Sequence, residues 1–496
     1  MATERHPLIG NPKKTLVYSD TSECVTQIFL DITGMILALP FFLLYNGYKF
    51  IAKVSDGKKS KKNEGSTGLN GNEDVNFESL KKSNPTKEFD IILFGATGFT
   101  GKLAMEYLIK QYGTNSGLKW AIAGRRLKAL QELNEKLAPG LNIPMVVADS
   151  ASLQSVSAMC CKTKVLLSTV GPFNVYGRKV VAACANLGTN YADISGETDF
   201  MRYCIDNYED TAKANGSKIV IHCGHDSIPW DIGVYKLSQS LRRKGDELIK
   251  VKFFDEVNAV ASSGTLKTAV IAASAGRYPS KLGYDPLLRS GDNNSTDKST
   301  RNIKIKIQKG LGFTKEFNTS TTKGGVSIGP FFMAPVNANC VRRSNVLLGY
   351  TEENLSYSEA QVYGNWLSGL TNTIHNYYQG IFLFTPPLKR FAELTGILPA
   401  DGKGPSEAKM AEGFLRVTGI GEGKNGLKSQ LVMYFDKDPG YADTARMLVE
   451  TGLALLNPNT IPPAHKNRYG ILTPAAAFGD TILDRLIETG TQFVIS

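Results

Sequence analysis

Apolar and polar positions fall into three regimes along the 496-residue chain. From Cys24 to Ala52 apolar residues run almost unbroken, most densely between Ile32 and Tyr45. From Ser55 to Lys87 Gly, Ser, Asn, Lys and Glu leave almost nothing to bury, the composition of a disordered tether. Beyond Lys87 short apolar runs alternate with helical-period segments. Phe89 to Phe94 reads as a buried strand, and Leu103, Ala104, Tyr107 and Leu108 then recur at helical spacing. Strands follow at Leu118–Ala123, Met145–Asp149, Val165–Val170, Tyr191–Ile194 and Lys218–His222. Helices at Leu127–Leu137, Leu153–Cys161, Arg178–Gly188 and Phe200–Asn215 separate them. Strands alternating with helices predict an α/β fold with a doubly wound parallel sheet of the Rossmann type.

The second half is patterned differently. Leu248–Phe254, Asn302–Ile307, Gly413–Thr418 and Leu427–Tyr434 read as strands of another sheet, with a helix over Gly264–Ala275 and an amphipathic one over Tyr441–Leu455. Tyr278 to about Thr300 reads as loop. Val362–Leu398 is apolar but too broken to span a bilayer. It is either a lipid-facing lobe rimmed by Lys389 and Arg390 or a helical pair in the core or at a dimer interface. These patterns divide the chain into an N-terminal membrane-associated segment (1–54), a linker (55–87), a Rossmann domain (88–235), a second α/β domain (236–470) and a helical closure (471–496).

The N-terminal apolar segment reaches the ~20 residues of a membrane span only if it extends from Val25 to Tyr48 and takes in Asp31. It lies too far from Met1, without a small-residue cleavage site, for a signal peptide. A single span, a helix or Pro40-kinked hairpin in one leaflet, and an ordinary buried helix all stay open. Residues before Glu23 read as polar and poorly ordered. Lys49, Lys53, Lys58, Lys59, Lys61 and Lys62 follow the segment, which keeps the downstream domains on the cytosolic side in either membrane arrangement.

Charge supports that location. The formal excess of +11 is uneven: lysines crowd the stretch from Lys49 to Lys87, beside the apolar segment, and the rest is closer to balance, which points to an anionic membrane surface and away from nucleic acid. Seven scattered cysteines without a C-x-x-C pair read as reduced, mostly buried thiols. The five histidines lack zinc-ligand spacing, so no metal site is expected.

The candidate chemistry begins after the first strand. Gly95-Ala96-Thr97-Gly98-Phe99-Thr100-Gly101 opens a helix, the arrangement in which close-approaching backbone and free N–H groups cradle a pyrophosphate. The second strand ends at Gly124-Arg125-Arg126, where an NAD enzyme carries an acid for the ribose 2′-hydroxyl. Two guanidinium groups suit a 2′-phosphate instead, so NADP is expected over NAD. Asp149 falls beside the adenine, and Ser168, Thr169 and Gly171 on the nicotinamide side. The loop spacing resembles that of extended short-chain and NmrA-like proteins. The Tyr-x-x-x-Lys pair of short-chain reductases occurs only at Tyr45–Lys49, upstream of the cofactor loop, which excludes that mechanism.

Several longer strings resemble the saccharopine dehydrogenase-like oxidoreductases over residues 88 to 496. They are Gly95–Gly101, the Ala-Gly-Arg-Arg ending at Arg126, Thr169-Val-Gly-Pro-Phe173, Tyr191–Glu197 and Cys223–Gly233. Ser263–Leu266, Gly329–Asn337, Val341–Ser344, Gly404–Glu407, Asp438–Ala442 and Thr473–Phe478 continue the likeness. It implies an NAD(P)-binding Rossmann domain followed by an α/β domain. Its members include a trans-acting enoyl reductase of bacterial lipid synthesis and eukaryotic proteins of membranes and lipid droplets. True saccharopine dehydrogenases need a basic pocket for a tricarboxylate, and Arg342 and Arg343 alone do not make one. His225 departs from the family pattern, where relatives carry an aromatic residue.

Tyr176, Asp193, Glu197, His225 and Asp226 lie near strand ends that face a ligand crevice. Of these His225, Asp226 and Tyr176 are the acid–base candidates; Asp193, Glu197 and Asp226 also suit caps and turns. The expected function is NADP-dependent hydride transfer to a lipid-like enoyl or carbonyl substrate at a membrane. The expected location is a lipid droplet or the endoplasmic reticulum, with a mitochondrial membrane as the alternative, and a homodimer stays open. The other readings are a cofactor-binding structural or redox-sensing protein without turnover, and a true saccharopine dehydrogenase.

Overall fold

A computed structural model describes residues 9–10, 14, 16, 20–56, 75–83, 86–113, 116–225, 227–259, 303–316, 325–351, 354–395 and 404–496. Asp226, the Ser263–Leu266 motif, the helix expected at Gly264–Ala275 and the loop that follows it lie outside these residues.

The first sheet is built from β1 (Phe89–Phe94), β2 (Trp120–Gly124), β3 (Met145–Val147), β4 (Thr163–Ser168), β5 (Asn190–Asp193) and β6 (Lys218–Val220). The second uses β7 (Leu248–Asn258), β8 (Ile303–Ile307), β9 (Gly312–Thr314), β10 (Val326–Gly329), β11 (Leu355–Tyr363), β12 (Phe414–Gly423) and β13 (Lys428–Phe435). The last two strands, β14 (Gly470–Leu472) and β15 (Gln492–Ile495), are shared out, one to each sheet.

The first sheet is parallel, in the order β14-β6-β5-β4-β1-β2-β3. The expected doubly wound sheet is there, with a seventh strand added from the far end of the chain. Its strands are apolar on both faces because both are covered. On β1, Ile91 and Leu93 enter one core cluster while Ile92 and Phe94 enter the other. One face carries α3 (Phe99–Tyr112), and the helices from α4 (Leu127–Leu137) to α5 (Leu153–Cys161), α6 (Phe173–Tyr176), α7 (Arg178–Leu187) and α8 (Thr198–Ala214) wind around the remaining strands. The second sheet is mixed, in the order β15-β13-β12-β7-β11-β10-β9, with β8 also paired to β11.

The boundary expected at residue 235 falls inside a single helix, Ile228–Arg243, whose apolar residues pack on the second sheet. The core is continuous across it: Leu93, Val234, Phe253 and Met433 belong to one cluster. The amphipathic helix expected near Tyr441 spans Ala442–Leu456 and lies against α3, β4 and β5. The C-terminal closure, expected to be helical, also supplies β15 to the edge of the second sheet.

Two expectations about the N-terminal region need correction. Part of the supposed tether is folded: Phe77–Ser83 is a helix whose Phe77 and Leu80 pack on the Rossmann core, because these two apolar side chains have a groove to fill between α5 and α7. Among the polar N-terminal residues, Lys14 donates to the carbonyls of Gly413 and Asp436, both at 2.8 Å. The apolar segment is a continuous 36-residue helix, Thr21–Asp56, with Pro40 inside it, so it makes no hairpin. The apolar stretch after β11 forms a helical pair, Trp366–Phe384 and Pro386–Thr395, and the long N-terminal helix packs against both.

Candidate functional site

The crevice opens where β1 and β4, paired through Phe94 and Ser168, send their chains to opposite faces of the sheet. That reversal leaves a gap at the carboxyl ends, the general ligand position of such sheets. The glycine loop fills one side of it. Gly95 has a φ of +92°, and a Cβ there would stand 2.7 Å from Thr169 Oγ1. A Cβ on Gly101 would stand 2.2 Å from the Gly95 carbonyl, so only glycine lets α3 sit this close to β1.

Gly98 is different: a side chain there would meet nothing nearer than the Gly95 carbonyl at 3.3 Å. The fold itself does not demand glycine at 98. A Cβ would fill the open space over the start of α3, which no side chain caps. Free first-turn N–H groups facing that space fit a phosphate. Ala96 is buried beneath the helix, while Thr97, Phe99 and Thr100 are partly exposed around the loop.

Arg125 and Arg126 end β2 exposed and form no ion pair among the described residues. Their charges are therefore available to a 2′-phosphate. Asp149, just past β3, is exposed and accepts the N–H of Ala151, which shapes the turn on the adenine side. Thr169 donates to the carbonyls of Phe94 and Gly95 at 3.2 and 3.1 Å, tying the two strand ends together. Ser168 is buried and Gly171 exposed beside it.

The opposite lip is held by carboxylates. Glu197 accepts the N–H groups of Phe173 and Asn174 at 2.7 and 2.9 Å, so it braces the first turn of α6. Asp193 accepts from the Tyr191 hydroxyl, Ser195 N–H and His222 N–H. Burial pushes its carboxyl up to about 7. Both are spent on the scaffold. His222, at φ 68°, contacts the Ser195 carbonyl, and burial lowers its imidazole to about 4, which keeps it neutral.

His225 turns inward. Its ring is 3% exposed, packs edge-on against Phe435 and sits 3.2 Å from Asp443, while its backbone N–H donates to Thr444. Arg446 donates to the other Asp443 oxygen at 2.6 Å. Although burial opposes ionisation, Arg446 and His225 hold the Asp443 carboxyl well below the usual carboxylate range. Tyr176 takes the opposite course: it closes α6, the short helix after β4, and is 39% exposed.

Distant motifs meet at the mouth. Phe99 packs edge-on against Tyr441 with ring centroids 5.1 Å apart, and Gly404 lies flat against the Phe99 ring. Asp438 accepts the N–H of Tyr441 at 2.7 Å and fixes the start of the helix above α3. Sequence patterns do not single out Asp443 and Arg446 as site residues. Only the turn that begins at Asp438, Asp-Pro-Gly-Tyr, marks the place. Arg343, a candidate substrate cation by sequence, is buried and donates to Glu209 and the Ile471 carbonyl, both at 2.8 Å.

Comparison with known proteins finds relatives over most of the chain. A family model described as the saccharopine dehydrogenase NADP binding domain matches residues 91–220. A putative trans-acting enoyl reductase of Mycobacterium tuberculosis is 33% identical over 82% of this chain and 97% of its own length. A trans-acting enoyl reductase of Mycobacterium ulcerans is 32% identical over 82% of this chain and 98% of its own. Among solved structures, apo saccharopine dehydrogenase (L-Glu forming) from Saccharomyces cerevisiae aligns at a TM-score of 0.46 with 12% identity, over 82% of this chain and all of that one.

Proposed function

The chain belongs to the saccharopine dehydrogenase-like, NADP-binding oxidoreductases, and from that premise we propose that it reduces an enoyl group on a lipid-like substrate at a membrane. The observation that carries this reading is the match, over nearly their whole length, to proteins named trans-acting enoyl reductases. NADPH supplies the hydride when bound. The uncapped start of α3 holds its pyrophosphate, and Arg125 and Arg126 hold its 2′-phosphate.

An enoyl group that gains hydride at its β-carbon passes its double-bond electrons to the carbonyl oxygen. It then needs a proton at the α-carbon to end as a saturated acyl group. Tyr176 is the residue we assign to hold that proton at its hydroxyl, since it stays exposed on the short helix that follows β4. His225 acts through Asp443 and Phe435 as a brace between β6 and the helix over α3. The apolar N-terminal helix and the lysines that follow Lys49 in the sequence support attachment to a membrane surface, for which a lipid droplet or the endoplasmic reticulum, with the body in the cytosol, is the location in this proposal.

NADPH oxidation followed with enoyl thioesters, ketones and saccharopine as substrates tests the reading. Enoyl turnover is expected. Tyr176→Phe should lower kcat on the order of a hundredfold with NADPH affinity unchanged. Tight NADPH binding with no substrate turned over would replace it with a cofactor-binding protein that does no chemistry. Oxidation with saccharopine alone would point to the lysine–glutamate adduct.

A further inference from the structure

The N-terminal helix Thr21–Asp56 is α1, and its partners Trp366–Phe384 and Pro386–Thr395 are here the lobe helices. One stripe of α1 is covered. Cys24, Asp31 and Ala38 are buried at seven-residue spacing, with Gln27, Gly34 and Phe42 half-buried between them. That is the seam of two helices packed side by side. On it Asp31 meets His375 at 3.1 Å and accepts from Gln27 at 2.8 Å, while Ala38 packs with Phe382, Leu383, Leu388 and Ala392. The charge that made the segment a poor span is thus consumed by a partner inside the lobe.

The rest of α1 is apolar and uncovered. Phe29, Leu37, Leu44 and Tyr48 are each about seven-tenths exposed, and Trp366, Tyr377 and Leu394 extend the apolar surface onto the lobe helices. Large apolar side chains exposed on three helices that pack together suit an interaction site. Arg390 is exposed on the lobe, and in the sequence Lys49, Lys53, Lys58, Lys59, Lys61 and Lys62 follow the apolar stretch. Apolar surface on a chain segment followed by a basic run suits an anionic phospholipid surface.

Both ends of α1 return to the same body. Before it, Lys14 is bound to Gly413 and Asp436, and the Ile9 carbonyl accepts from Arg416. After it, Phe77 and Leu80 pack on the Rossmann core. A helix that crossed a bilayer would leave its two ends on opposite sides. The segment 57–74, lysine-rich and without an apolar run, would then have to recross the hydrocarbon, which unpaired backbone and charge forbid.

We propose that α1 and the two lobe helices form a plate that inserts into one leaflet of an anionic phospholipid surface, with α1 lying along the surface and crossing nothing. This rests on the membrane part of the proposed function and is independent of the chemistry.

The full-length protein carries its own reporter, because Trp120 and Trp230 are buried at 4% and 1% while Trp366 is 60% exposed. With phosphatidylcholine–phosphatidylserine vesicles, flotation is expected, together with severalfold quenching of Trp366 emission by lipids brominated near the headgroup. Trp366→Phe should abolish that quenching. A protease added outside the vesicles should remove an N-terminal tag completely. Phe29→Asp with Leu37→Asp should weaken vesicle binding at least tenfold with NADPH affinity unchanged, which reports a folded body. Flotation with the tag protected would establish a span and overturn the one-leaflet plate while leaving attachment intact. Failure to float, or a concentration-dependent dimer that shields Trp366 without lipid quenching, would overturn attachment itself. NADPH-dependent enoyl turnover would be untouched by either result.

Discussion

Two aspartate–histidine pairs of nearly equal length sit in opposite surroundings: His225–Asp443 at 3.2 Å beside the crevice and His375–Asp31 at 3.1 Å in the apolar lobe. In the crevice pair both side chains are almost fully buried, and Arg446 joins as a third partner that also donates to the Leu486 carbonyl, Thr489 and Thr491. It pins β6, the helix over α3 and the C-terminal segment into one body. In the lobe Asp31 is buried but His375 keeps about a quarter of its side chain exposed, and the neutral amides of Gln27 and Gln379 lie against the pair. There the pair registers one helix against another. A fully buried aspartate–arginine pair backed by a histidine holds the scaffold rigid, whereas a partly exposed aspartate–histidine contact with neutral amide partners on an apolar seam orients a surface. Equal distances therefore say little until burial and the third partner are counted.

Asp443→Asn should show the larger effect. It leaves the Arg446 guanidinium buried without its carboxylate, which costs about 3–5 kcal/mol. Calorimetry should find a clear fall in Tm. Because the Asp443 carboxyl is held below its unfolded value, its contribution is present at neutral pH and is lost only as pH falls through the depressed folded value. Wild type and variant should therefore converge in strong acid.

Arg125→Gln with Arg126→Gln should come next. Both side chains are exposed and make no ion pair among the described residues, so stability should hold while NADPH affinity falls about tenfold or more and NADH affinity stays, as read by titration of each cofactor. An equal loss for both cofactors would mean the arginines do not read the 2′-phosphate. Asp31→Asn should have the smallest effect, a severalfold loss of vesicle binding with Tm and NADPH affinity close to wild type. A Tm drop as large as that of Asp443→Asn would erase the distinction between the two pairs.

The crevice half is largely legible in the sequence, because local rules govern it. Apolar runs and helical spacing place β1 through β6 within a few residues, and glycine spacing marks the turn after β1. Strands β9, β10, β11, β14 and β15 leave no such mark. β9, β10 and β14 are only three or four residues long, and β11 alternates polar and apolar residues while burying both Glu359 and Tyr357. Neither length nor pattern separates such strands from loop. Glu359 is held by Asn337 and Tyr357, and the first of these comes from a different element of the fold, so nothing in its own stretch announces that a carboxyl belongs inside.

The site residues divide the same way. Gly95, Gly101 and the arginines after β2 follow from backbone geometry and charge at fixed spacing. Asp443 and His225 stand 218 positions apart, and Asp31 and His375 stand 344 apart. Their pairing has no local signature.

By itself the sequence determined a doubly wound nucleotide sheet, a phosphate turn at Gly95–Gly101, a preference for a 2′-phosphate and an apolar N-terminal helix beside a basic run. These rest on properties that act within a turn or a strand: steric freedom of glycine, side-chain periodicity and charge. The tertiary structure alone decided that β14 returns to the first sheet, that His225 faces inward and Tyr176 outward, and that Asp31 has a partner. Burial and long-range contact are set by which segments meet, and the chain must fold before an aspartate in an apolar helix finds its histidine.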